Sequence, residues 1–65
     1  MTRYSVSIFN SKTSSWESIA LFSNEVSHRA IVNFCQEQLK FQNAEIASIY
    51  DLKDECVIVN VKRNR

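Results

Sequence analysis

Polar and apolar residues alternate near the start of the chain, where Tyr4, Val6 and Ile8 are separated by Ser5 and Ser7. A period of two sends successive side chains to opposite sides of an extended backbone, so residues 3–9 are predicted to form a half-buried strand. The polar run Asn10 to Ser15 reads as a turn, and residues 16–22 as a second strand returning antiparallel to the first.

From residue 24 the period changes. Val26, Ala30, Ile31, Phe34, Cys35 and Leu39 fall on one stripe of a helix over residues 24–40, while Glu25, Arg29, Asn33, Gln36, Glu37 and Lys40 cover the rest. Ser23 or Asn24 is expected to cap it, with Glu25 in the first turn and Lys40 in the last. Asn43 is expected to supply the left-handed residue that ends it. Phe34 and Phe41 are expected in the core. Two further strands, 44–50 and 56–62, flank the charged turn Asp51 to Glu55. The order is ββαββ, and the predicted fold class is α+β: a single domain, a four-stranded antiparallel sheet with one helix packed on one face.

Alternation then divides the sheet. Val6, Ile8, Ile19, Leu21, Ile49, Val57, Val59 and Val61 are assigned to the face under the helix. The open face receives Ser5, Ser7, Phe9, Trp16, Ser18, Ala20, Tyr50, Cys56, Ile58 and Asn60. A sheet covered on one side normally shows polar residues on the other. An apolar and aromatic group there marks a partner surface, so Phe9, Trp16, Tyr50 and Ile58 are the candidate partner-binding residues.

Composition sharpens this reading by exclusion. The 65 residues include no Gly and no Pro, where average usage would give about four or five of the first and three of the second. Phosphate-cradling loops, dinucleotide fingerprints and nucleophile elbows all need glycine for close backbone approach or positive φ. The GXXG loop of KH domains and the glycine-bearing RNP1 strand are excluded for the same reason. Every turn must be shaped by Asn, Asp, Ser and Lys.

Candidate chemistry is sparse. His28 is the single histidine, and no Cys or His pair has zinc-ligand spacing, so no metal and no cofactor is implied. Cys35 and Cys56 lie among apolar neighbours and read as buried free thiols. Asp51, Asp54 and Glu55 share a turn without calcium-loop spacing and read as a solvated tip. Nothing assembles a catalytic constellation, and the chain is read as non-enzymatic.

Net charge is +1, which supplies no long-range field for nucleic acid or an anionic membrane. No apolar run approaches the roughly 18 residues of a membrane helix, and the N-terminal stretch lacks the apolar core of a signal peptide, so the expected setting is cytoplasmic. Residues 63–65 read as a frayed basic tail, with Lys62, Arg63 and Arg65 as candidate phosphate contacts. Residues 4–40, a hairpin followed by a helix, loosely resemble the start of three-stranded DNA-reading domains. Those domains carry several basic residues on the sheet, whereas these strands offer Arg3 and Lys62 near their ends. A domain this small buries only about 60% of the surface its unfolded chain exposes, and such domains often gain stability from a second copy. The expected function is therefore a protein-binding module: a modulator or inhibitor of bacterial or phage accessory type. It would dock on a larger protein, or on itself as a homodimer, through its open sheet face or a sheet edge. The alternative is a nucleic-acid-binding module using the sheet face and the basic tail.

Overall fold

A computed structural model describes residues 1–64. It contains β1 (Thr2–Asn10), β2 (Ser15–Ser23), α1 (His28–Phe41), β3 (Ile46–Asp51) and β4 (Cys56–Lys62). The strands form one antiparallel sheet in the order β2-β1-β3-β4, with the helix on one face. This is the predicted ββαββ architecture. The alternating strand β1 sits at the centre, buried through Tyr4, Val6 and Ile8. Its neighbour β3 contributes Ala47 and Ile49, and β4 adds Val61. The helix closes this layer with Ile31, Cys35 and Leu39, a fully buried i, i+4, i+8 stripe. Phe34 on the helix meets Phe22 on β2 edge-to-face, with ring centroids 5.2 Å apart.

The helix begins four residues later than predicted. Ser23 ends β2 and directs a turn instead of a cap: its hydroxyl accepts from the Glu25 N–H at 3.3 Å and its carbonyl from the Val26 N–H at 3.2 Å. The cap is Ser27, whose Oγ accepts from the Ala30 N–H at 3.2 Å. Glu25 consequently lies outside the helix. At the other end the prediction holds. Asn43 has φ 53°, its N–H donates to the Lys40 carbonyl at 3.3 Å, and the Ala44 N–H donates to the Leu39 carbonyl at 2.9 Å. These are the two bonds of a Schellman termination, made with Asn where Gly is usual. Phe41, expected in the core, is 85% exposed; it lies two positions past the buried Leu39, off the stripe.

Both hairpins use one device. Each has a four-residue loop, opened by an Asx side chain and closed by a residue in the left-handed region. Asn10 Oδ1 accepts from the Lys12 N–H at 2.9 Å, and Asp51 Oδ1 from the Lys53 N–H at 2.9 Å. Ser14 and Glu55 close the loops at φ 57° and 55°.

Two irregularities in the edge strands correct the face assignment. The β1–β2 register passes from Val6↔Ala20 to Ser7↔Ser18, leaving Ile19 as an extra residue. The β3–β4 register passes from Ile49↔Val59 to Tyr50↔Val57, leaving Ile58 as another. A bulge reverses the phase of everything beyond it. Ala20 and Phe22 therefore turn toward the core and Leu21 outward, the reverse of strict alternation. In β4, Val57 faces outward, and Cys56 pairs with the inward Asp51. Val61 keeps its predicted inward place and is buried, while Val59, paired with the inward Ile49, is on the same face but 39% exposed on the edge strand.

Candidate interaction surface

Register fixes what the open face presents. One row across the sheet runs Leu21, Ser5, Tyr50, Val57. The next runs Ser18, Ser7, Ser48, Asn60, with the Ser5 and Ser18 hydroxyls 3.4 Å apart. In the third, Trp16 pairs with Phe9 on one side of the sheet and Ile46 with Lys62 on the other. A central hydroxyl band thus separates two largely apolar bands. Leu21, Val57 and Trp16 are 62%, 51% and 50% exposed. Trp16 is held by edge-to-face contact with Phe9 at 5.4 Å between centroids. Ser7, Ser48, Trp16, Tyr50, Leu52 and Val57 are among the residues lining a shallow groove of about 460 Å³ on this face.

Three of the four predicted partner-binding residues, Phe9, Trp16 and Tyr50, therefore share the open face. Trp16 and Tyr50 line the groove, whereas Phe9 and Ile58 do not: Ile58 is the bulge residue of β4, and Val57 takes the place expected for it beside Tyr50. Leu21 and Val57 were missed because each lies beyond a bulge, and a bulge has no marker in a chain without glycine.

Charge is nearly absent from this surface. Among the twelve side chains of its three four-residue rows, Lys62 alone is charged. The candidate phosphate contacts do not converge on it. Lys62 is exposed at one corner, whereas Arg63 is drawn aside: its Nη1 donates to Asn43 Oδ1 at 2.7 Å and its Nη2 lies 3.5 Å from Glu45 Oε1. Arg63 and Asn64 are moreover hydrogen-bonded through their backbones, to the Glu45 carbonyl and to Gln36 Oε1, and so are not frayed. Arg65 lies outside the described residues.

Elsewhere the polar groups serve the fold. Asp51, expected at a solvated tip, is buried and receives Arg3 through Nε and Nη2 at 3.2 and 3.0 Å, together with the Lys53 and Asp54 N–H groups at 2.9 and 3.3 Å. The Arg3 guanidinium, with those two amides, holds the Asp51 carboxyl below the usual carboxylate range against the opposing effect of desolvation. Tyr4 is buried, with its hydroxyl 3.0 Å from His28 Nε2 and the rings edge-to-face at 5.2 Å. Cys35 is buried as expected, and burial pushes its thiol up, which suits a packing residue and not a nucleophile. Cys56 is exposed, contrary to expectation: it is the first residue of the edge strand β4. Among the described residues no group of three or more His, Cys, Asp or Glu is placed to hold a metal ion, and no helix is long and apolar enough to cross a membrane.

Comparison with known protein families, with curated proteins and with solved structures returns no match.

Proposed function

We propose that this chain is a non-catalytic protein-binding module whose working surface is the open face of the sheet. The observation that carries the reading is the combination of half-exposed Leu21, Trp16 and Val57 with a single charge among the twelve side chains of the rows they belong to. Charge depletion with aromatic enrichment is the compositional mark of the centre of a protein–protein interface. A nucleic-acid surface needs the reverse, since phosphate neutralisation by Lys and Arg supplies most non-specific affinity. Docking through an edge is the weaker mode. Both edge strands, β2 and β4, carry bulges at Ile19 and Ile58, and a bulged edge is a poor template for an added strand.

A photo-crosslinking residue at Ser48, in the middle of the face, tests the reading in the protein's own host cells. Covalent adducts with protein are expected from Ser48 and not from Asn33 on the exposed side of the helix. Equal yields from the two positions, or no protein adduct from Ser48, would refute it.

A further inference from the structure

We infer that the occupant of the open face is a second copy of this chain, bound face to face about a two-fold axis that runs along the strands between β1 and β3. The inference rests on the reading of that face as an interface and adds the identity of the partner.

The open face is complementary to itself. Such an axis carries β1 over the partner's β3 and β2 over the partner's β4, and it keeps each row opposite itself. The band holding Leu21 and Tyr50 then meets its own copy in reverse order, with Leu21 against the partner's Val57. The hydroxyl band meets a hydroxyl band, with Ser7 against the partner's Ser48, so each polar group finds a hydrogen-bonding surface instead of an apolar one. Lys62, the one charge on the face, comes opposite the partner's Trp16. An ammonium placed over an indole is attracted by the ring and needs no carboxylate, and none is present in the three rows. Two sheets packed in this way keep their strands within about 30° of each other and about 10 Å apart.

Size sets the strength to expect. The four strands have 9, 9, 6 and 7 residues; at about 3.3 Å per residue and about 4.8 Å between strands they give a face of roughly 500 Å² per copy, or about 1,000 Å² per dimer, the size of a weak, concentration-dependent association. The pairing would turn a two-layer domain with one bare sheet face into a four-layer assembly with both sheet faces covered.

The test uses the purified chain, sedimentation equilibrium and native mass spectrometry. The wild type is expected to form a concentration-dependent dimer, with Trp16 emission moving to shorter wavelength as the concentration rises. Ser48→Lys and Ser7→Glu should each weaken self-association by about tenfold or more, since each buries an unpaired charge at the axis. Mixing the two variants should restore a heterodimer, because the ammonium introduced in one chain then faces the carboxylate introduced in the other. Asn33→Lys, on the exposed side of the helix, should leave association unchanged, and circular dichroism checks that each variant is folded. A wild type that stays monomeric up to about 1 mM, single variants that dimerise as the wild type does, or a mixture that fails to pair would overturn the inference. Failure here is distinguishable from failure of the broader reading. A monomeric wild type that still crosslinks from Ser48 to a different protein overturns only the second copy, whereas the absence of any protein adduct overturns both.

Discussion

Three residues with side chains occupy a backbone region that glycine fills at little cost: Ser14, Asn43 and Glu55, at φ 57°, 53° and 55°. An L-residue in that region costs about 1–2 kcal/mol because Cβ crowds the following carbonyl oxygen. Glu55→Gly removes this cost, and Glu55 makes no hydrogen bond in its loop that would be lost. The opposing effect lies in the unfolded chain, where glycine's extra freedom costs about 0.4–1 kcal/mol on folding. The net expectation is a gain of about 0.5–1 kcal/mol, or roughly 3–6 °C in Tm for a domain this small. Ser14→Gly should give a similar gain, and because the two loops belong to separate hairpins the double variant should gain about the sum.

Asn43 supplies the internal contrast. Asn tolerates the left-handed region better than most residues, and its Oδ1 also accepts from Arg63 Nη1 at 2.7 Å. Asn43→Gly therefore relieves less strain and loses a charge-assisted bond, so it should bring no stabilisation. Urea and thermal unfolding followed by circular dichroism, at one fixed protein concentration, measures all three variants. Glu55→Ala is the control, since it keeps the Cβ and should leave stability unchanged. If Glu55→Gly proves no more stable than Glu55→Ala, the reasoning from backbone strain fails.

Other expectations follow from the core, the ion pair and the sheet edge. The low-lying Asp51 carboxyl contributes stability that is fully present above the unfolded aspartate value of about 3.9 and is lost as pH falls through its depressed folded value. Tm measured from pH 7 down to pH 2 should therefore fall on acidification, and Asp51→Asn should start lower and show a flatter profile in that window. Leu39→Ala empties a fully buried site and should cost about 2–5 kcal/mol, which rivals the total of roughly 3–10 kcal/mol available to 65 residues. Urea unfolding followed by far-UV circular dichroism should show about half or more of the stability lost, while Phe41→Ser, at the 85%-exposed position, should shift stability by no more than about 0.5 kcal/mol. Deleting Ile58 should leave Val57↔Tyr50 and Val59↔Ile49 paired and keep the fold. The regularised edge should then aggregate faster, read as thioflavin fluorescence, and an unchanged rate would remove the protective role assigned to the bulge.

Sequence periodicity carried the architecture because the core residues of β1 and of the helix obey uninterrupted periods: Tyr4, Val6 and Ile8 at two, Ile31, Cys35 and Leu39 at four. Asn43 was legible as the helix stop for a chemical reason, since without glycine few residues accept positive φ. The helix start was not. Ser23, Asn24 and Ser27 are equivalent as caps in isolation, and what separates them is the tertiary fact that β2 continues through Ser23. Asp51 was misread for a related reason. Its charged neighbours suggest a solvated tip, but its phase on β3 points it inward, and Arg3, 48 positions earlier, is brought against it by strand pairing that local sequence does not encode. The candidate surface was legible at Phe9, Trp16 and Tyr50, which lie on the open face where strict alternation put them.

The bulges at Ile19 and Ile58 connect the fold to its proposed use. Under strict alternation Phe22 would stand on the open face and Leu21 under the helix, and the core would lose the Phe22–Phe34 contact. With the bulge, the large ring goes to a core that a chain of this size can hardly fill otherwise, and the slimmer Leu21 goes outward. In β4 the same shift brings Val57 out beside Tyr50. The resulting row of Leu21, Ser5, Tyr50 and Val57 has no ring at either end, a shape suited to the flat approach of another sheet. The same two insertions interrupt the hydrogen-bonding ladder at both edges, which disfavours strand addition. Two extra residues thus close the edges and smooth the face, and the open face is left as the surface on which association should occur.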